Sequence, residues 1–311
     1  SIIEAIRQVG LEKNPEDVVY IHVTLLPYIF GSNEIKSKPT QHSVKELQSL
    51  GIKPQILVCR SEIDIPENMK EKISLFCNVR KSSVIQNRTV DCLYAVPLML
   101  EEEGLAREVC NYLRLDRYVP DNRKWEEMIN NVRNIKDKEV KVAIVGKYVK
   151  LEDSYISVIE SLTHAGYANN VKVKIDLVDS ETINAENAKD KLGKFNGIIV
   201  PGGFGNRGIE GKIQTVKYAR ENNVPFLGIC LGMQMAVIEF ARDVLELKDA
   251  DSVEFNPDTK NPVIHIMEDQ KNITKKGGTM RLGAYPCVLE KGTLASNLYG
   301  SEEISERHRH R

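Results

Sequence analysis

The sequence predicts an α/β protein of two domains, each a mostly parallel sheet flanked by helices. Three observations carry that prediction. Apolar, β-branched runs of strand length alternate with helical patterns along the chain. The 311 residues exceed what a single core usually serves. A polar stretch over 116–138, holding one Pro and the only Trp, parts the alternation into 1–115 and 139–311 and reads as a part-helical linker.

In the first block, VVYIHVTLL (18–26) and QILVCR (55–60) read as buried strands. Between them, Val44, Leu47 and Leu50 recur at helical spacing and stop at Gly51, which predicts a helix over 40–51. A short strand follows at 83–87. A helical stretch over 93–113 is expected to be interrupted at Pro97 and Gly104. Strands separated by helices imply a sheet covered on both faces.

The second block opens with the strand VKVAIVGK (140–147). A helix over 154–166 follows, with Tyr155, Val158, Ile159 and Leu162 on one face. Further strands are predicted at 171–178, 195–203 and 224–230, with a helix over 211–222 between the last two. There is no internal repeat and no low-complexity segment.

Composition narrows the function. The net charge of −1 gives no basic excess, which argues against a nucleic-acid or membrane-surface partner. No apolar run nears the roughly 18 residues that span a bilayer. The six cysteines (59, 77, 92, 110, 230, 287) lack CxxC spacing, so a zinc site or disulfide framework is not expected. Their pattern fits a reducing, cytoplasmic setting in which most are small buried hydrophobes. The opening SIIEAIRQVG reads as a helix already under way and the end SERHRHR closes no element, so the sequence reads as a piece of a longer chain.

One cysteine stands apart. In PFLGICLGMQ (225–234) an apolar strand ends at Cys230 and a helical pattern begins just after it, with Gly228 and Gly232 two residues to either side. A helix N-terminus favours a thiolate, and a sharp strand-to-helix turn lifts the side chain to the carboxyl edge of the sheet. Glycines at this spacing make the G-x-nucleophile-x-G elbow. A buried core cysteine is the bland alternative, and the paired glycines weigh against it. The loop VPGGFGNRG (200–208) ends the preceding strand, so Gly202 and Gly203 can aim N–H groups above Cys230 as an oxyanion hole.

PGGFG followed by GICLGMQ resembles the class I glutamine amidotransferases. KSKPTQHSVKEL (36–47), FCNV (76–79), VGKYVKLEDSYISVIESL (145–162), GGTMRLGAY (277–285) and ERHRHR (306–311) resemble the CTP synthase family more narrowly, over essentially the whole chain. The resemblance implies a P-loop-type amidoligase part followed by a class I glutamine amidotransferase fold. It implies ATP-dependent amination of UTP to CTP with ammonia released from glutamine.

It further implies a role for each matching position. Cys230 would be the glutaminase nucleophile. Gly203 and the N–H of Leu231 would form the oxyanion hole, and Gly232, Met233, Gln234, Glu254 and Arg311 would complete the glutamine site. Lys36, Ser37, Lys38, Pro39, Thr40, Gln41 and Lys72 would bind UTP or CTP, in keeping with lysines before a helix start that suit a triphosphate. Val90 would lie where the family seats the adenine of ATP. Arg207 and Arg281 would serve an allosteric GTP site. The family also implies Mg²⁺, CTP as feedback inhibitor and a homotetramer.

Two expected parts are missing from the sequence. No GxxxxGK-like loop precedes residue 36, and no acidic Mg²⁺ ligands follow one, so no metal ligand is expected in this chain. None of His22, His42, His164, His265, His308 or His310 is followed by the Pro-Glu that accompanies the family's general base. These 311 residues alone are therefore expected to be inactive. A different class I amidotransferase and a non-catalytic scaffold are the competing readings. KSKPTQHSVKEL opposes the first and the intact Cys230 the second.

Overall fold

A computed structural model describes residues 2–116, 119–135, 138–149, 151–267 and 283–308. Arg281 and Arg311, assigned above to nucleotide and glutamine binding, lie outside the described residues, as does His310. The chain forms two compact units, Ser1–Ile135 and Lys136–Arg311.

The first unit runs α1 (Ile2–Glu12), β1 (Ile21–Leu25), the short hairpin β2 (Tyr28–Ile29) and β3 (Glu34–Ile35), α2 (Lys38–Ser49), β4 (Ile56–Ser61), α3 (Glu67–Cys77), β5 (Val84–Arg88), α4 (Val96–Glu102), α5 (Leu105–Leu113) and α6 (Arg123–Arg133). Its sheet is parallel in the order β1-β4-β5. β4 carries the run Ile56, Leu57, Val58 and Cys59 because both of its faces are covered. Leu57 and Cys59 pack with Leu26, Val44 and Ile73, whereas Ile56 and Val58 pack toward Leu100, Leu105 and Val109. Burying each such side chain stabilises the unit by about 1.5–3 kcal/mol.

Two expectations need correction here. Edge strand β1 is not covered on both faces: Val23 is 60% and Leu25 58% exposed. Pro97 does not interrupt a helix. It lies in the first turn of α4, where its missing N–H costs nothing. The break comes only at Gly104, whose φ of +84° suits glycine.

The second unit runs β6 (Glu139–Gly146), α7 (Ile156–Ala168), β7 (Lys172–Asp179), α8 (Ala188–Leu192), β8 (Gly197–Val200), α9 (Ile209–Glu221), β9 (Phe226–Gly228), α10 (Leu231–Asp243), β10 (Ala250–Ser252), β11 (Asn261–Ile264), β12 (Gly283–Val288), α11 (Leu294–Tyr299) and β13 (Glu303–His308). β7-β6-β8-β9 form a parallel sheet. β10 and β11 make a separate parallel pair, and β12 and β13 an antiparallel one. Ala143, Val145, Ile198 and Val200 bury one sheet face against Leu192 and Phe195. Ile209, Ile213 and Val216 of α9 meet Leu231, Met235 and Ile238 of α10 in a second cluster. The architecture is the mostly parallel, helix-flanked α/β class the sequence predicts.

Candidate active site

The chain runs from β6 outward to β7, then crosses back to β8 on the other side of β6. Strand order therefore reverses at β6 and β8, and open α/β sheets bind ligands at the carboxyl ends flanking such a point. Three segments meet there: residue 147 after β6, residues 201–208 after β8, and residues 229–231 where β9 turns into α10. Register brings the last two together, since Val200 pairs with Gly228 and the Ile229 N–H donates to the Val200 carbonyl at 2.9 Å.

Cys230 is the N-cap of α10, with φ 55° and ψ −107°. Such a conformation in a residue with a Cβ costs about 1–3 kcal/mol and persists only where the surroundings enforce it. They do so through the two glycines. A Cβ on Gly228 would lie 2.5 Å from the Gly232 carbonyl carbon, and one on Gly232 would overlap the Val200 carbonyl oxygen. Strand end and helix start are thus pressed together, and the turn forces Cys230 out at the top. Its side chain is half-buried.

The glycine loop closes over it. A Cβ on Gly202 would stand 3.4 Å from the Cys230 Cβ and 3.7 Å from its Sγ, so the backbone at residue 202 faces the sulfur directly. Gly203 lies next to the Leu231 side chain. Leu231 begins α10, where the first N–H groups lack partners within the helix. The structure thus brings Gly203, Leu231, Gly232 and Gln234 to Cys230, with the Gln234 N–H donating to the Cys230 carbonyl at 3.2 Å. Met233 is exposed on α10. Glu254 is exposed on the turn after β10, its N–H donating to Ser252 Oγ at 3.2 Å.

Two lysines back this site. Lys147 Nζ donates to the Phe204 carbonyl, while its backbone N–H donates to Tyr155 Oη at 3.1 Å. Lys212 of α9 is fully buried, and its Nζ lies 3.7 Å from the Cβ position of Gly203. Burial, then the charge of Lys147, pushes its ammonium down to about 8. Neither lysine emerges from the motif reading, although Lys212 has a signal: it interrupts the apolar stripe Ile209, Ile213, Val216 on the inner face of a helix. Arg207 is exposed and tethered: Nη2 donates to the Lys147 carbonyl at 3.1 Å, and Nε pairs with Glu181 at 3.3 Å.

In the first unit, residues 36–41 cross from β3 into α2. Ser37 is the N-cap, its Oγ accepting from Gln41 Nε2 at 3.1 Å. Thr40 is buried and donates to the Leu25 carbonyl at 3.0 Å, tying the start of α2 to the carboxyl end of β1. Lys36 pairs with Glu34. Lys38 and Pro39 are exposed in the first turn, and Lys72 is exposed on α3, which packs beside α2. Val90 is half-buried in the loop after β5. It offers only backbone groups to a nucleotide base. Among the described residues no cluster of His, Cys, Asp or Glu could hold a metal ion.

Residues 150–311 match the family model for glutamine amidotransferase class-I. The chain belongs to this family. Its amidotransferase part follows residues 1–115, which match the family model for the CTP synthase N-terminus. The chain is 54% identical over 309 residues to the CTP synthase of Halalkalibacterium halodurans, and 55% over 309 to that of Clostridium beijerinckii. Each alignment covers 99% of this chain but 58% of the relative, so the chain spans well under two thirds of their length. A solved Trypanosoma brucei CTPS glutaminase domain with bound acivicin is 43% identical. It covers 55% of this chain and 67% of its own, with a TM-score of 0.50. Among the described residues no helix is long and apolar enough to cross a membrane.

Proposed function

We propose that the chain carries the glutaminase elbow and the uridine-nucleotide segment of a CTP synthase. That enzyme aminates UTP to CTP at the expense of ATP, using ammonia from glutamine. The observation that carries this reading is the enforced turn at Cys230 beneath the Gly202–Gly203 loop, in a chain whose first unit matches the CTP synthase N-terminus.

In the glutaminase half, Cys230 Sγ attacks the side-chain amide carbon of glutamine and a C–S bond forms. The carbonyl oxygen becomes an oxyanion, held by the N–H groups at Gly203 and Leu231. The C–N bond then breaks, and the nitrogen leaves as ammonia with the proton given up by the thiol. Water hydrolyses the glutamyl thioester to glutamate and restores the thiol. Gln234, Glu254 and Arg311 hold the amino and carboxylate ends of glutamine, an arginine matching a planar carboxylate well.

In the synthetase half, Lys36, Ser37, Lys38, Pro39, Thr40, Gln41 and Lys72 hold the uridine nucleotide, and CTP at the same place acts as feedback inhibitor. Val90 borders the ATP site, with ATP and Mg²⁺ relying on residues outside this sequence. Arg207 and Arg281 receive GTP as allosteric activator. The enzyme works in the cytoplasm as a homotetramer.

The test is Cys230→Ala in the full-length synthase. Glutamine-dependent CTP formation should be abolished and ammonia-dependent formation largely kept. Loss of both activities together would make Cys230 a structural residue.

A further inference from the structure

Lys212 is a buried lysine with no ion-pair partner among the described residues. Its side chain is wholly shielded from solvent, and among the described residues its Nζ has no hydrogen-bond partner. Burial without a partner is what lysines ordinarily avoid. A long side chain could escape by snorkelling to the surface. Lys212 instead points inward from the apolar face of α9, ending 3.7 Å from the Cβ position of Gly203. That face is packed by Ile209, Ile213 and Val216 against α10, whose N-cap is Cys230.

The charges around it explain which sign of ligand the arrangement suits. From β6 it is faced by Lys147, whose positive charge opposes its own. From the N-cap of α10 it is faced by Cys230, whose ionised form favours the lysine's charge. Glu181, on the turn packed against α9, pairs with Arg207 at 3.3 Å. Glu239 of α10 is held by Arg220 at 2.7 Å. Both of these carboxylates are therefore engaged by arginines, Asp190 on α8 is exposed at the surface, and the pair of buried lysines leaves a positive back wall behind the Gly203 loop and the thiol.

We propose that Lys212 is a positioning residue for the reaction at Cys230: its buried ammonium is the standing counter-charge for the anion that forms there, first the thiolate and then the oxyanion at Gly203. This rests on Cys230 being the nucleophile. Lys212 need not touch substrate. It acts across the glycine loop, in a region shielded from water where a charge is screened little. An unpaired cation in the resting state is reasonable if its partner exists only during turnover.

The charge can be read without the rest of the catalytic machinery. The Cys230 thiolate displaces iodide from a haloacetyl reagent: an S–C bond forms, the C–I bond breaks, and iodide leaves with the electron pair. Iodoacetate is anionic and iodoacetamide is neutral, so the ratio of their rates at Cys230, followed on the Cys230 peptide by mass spectrometry, reports the local charge. In the protein as it stands, the iodoacetate-to-iodoacetamide ratio should exceed that of Lys212→Met by about fivefold or more. Raising the pH from 7 to 9.5 takes the lysine through its value of about 8 and should lower the ratio in the native protein while leaving it flat in the variant. The fall in the native protein's ratio needs no mutation, so that part of the test holds even if Lys212→Met folds poorly. If Cys230 is reactive but its ratio is the same in both proteins and insensitive to pH, Lys212 carries no such role. If Cys230 in the native protein reacts no faster than exposed Cys287, the nucleophile reading falls and takes this inference with it.

Discussion

Gly232, in the first turn of α10, lies directly against the carbonyl of Val200, the last residue of β8, with no room for a methyl group between them. That contact holds Cys230 in its φ-positive turn. Gly232→Ala must push helix and strand apart, and the overpacking is expected to cost about 1–3 kcal/mol. The larger effect should be on reactivity, because the elbow loses its angle. Alkylation of Cys230 by iodoacetamide should fall severalfold, with urea unfolding giving the stability term. An alanine variant with native stability and native thiol reactivity would show that the contact does not set the turn.

The charge of Lys212 destabilises the fold near neutrality. Its folded value of about 8 lies below the ordinary 10.5, mainly through burial. Between those two values the unfolded chain keeps a proton the folded chain has released, so stability rises with pH across that window. Below about 8 both states are charged and the folded state bears the full penalty, at most about 3 kcal/mol. Lys212→Met should therefore be more stable than the native protein at pH 7, by roughly 1–3 kcal/mol. The gap should narrow as the pH approaches 10. Denaturant midpoints at pH 7 and 9.5 measure both. A variant less stable at pH 7 would contradict the burial penalty.

Glu239 presents the opposite case, a buried carboxylate with its partner in place. Its side chain is 1% exposed and accepts from Arg220 Nε at 3.0 and 3.1 Å and from Nη2 at 2.7 Å. Arg220→Ala leaves that charge stranded between α9 and α10, with an expected loss of about 3–5 kcal/mol. Adding Glu239→Gln should return part of it, because a neutral amide is cheaper to bury. The double variant is compared with the single one by urea unfolding; no recovery would mean that the arginine stem, rather than the ion pair, supplies the stability.

Much of this was legible because the sequence repeats one physical message at several levels. The run ending at Cys230 is apolar, the residues after it are helical, and the flanking glycines remove the two Cβ atoms that the turn cannot hold. Such local agreement survives without the tertiary structure. Lys212 was not legible in the same way. A lysine in sequence is by default a surface residue, and only the stripe Ile209, Ile213, Val216 around it hints otherwise. Pro97 misled for a related reason: a proline reads as a break or as a start depending on where the first helical turn falls, and a residue or two decides it. The strands β10 and β11 are only three and four residues long, and β12 carries Pro286 within it, so neither length nor pattern announces them. The uncovered face of β1 could not be read at all, because Ile21, Val23 and Leu25 look like any buried β-branched or apolar set.

The uridine-nucleotide segment gives a prediction in which two neighbouring lysines differ. Lys36 is already paired with Glu34, so its charge is largely spoken for. Lys38 is exposed at the first position of α2, beside N–H groups that the helix leaves unpaired and without a side-chain cap from Ser37. A triphosphate placed at this helix start gains from those N–H groups, from the dipole and from Lys38 together. Removing a charged hydrogen bond to phosphate costs about 1.5–3 kcal/mol, or about tenfold or more in affinity. Lys38→Ala in the full-length synthase should thus weaken UTP and CTP alike, since both carry the same triphosphate. Lys36→Ala should do less, because Glu34 already engages that charge; what it does lose comes partly from the carboxylate left unneutralised near the phosphates, so Lys36→Ala combined with Glu34→Gln should recover part of the loss. Calorimetric titration with each nucleotide distinguishes the two lysines. Unchanged affinity in Lys38→Ala would remove the α2 start from the nucleotide site.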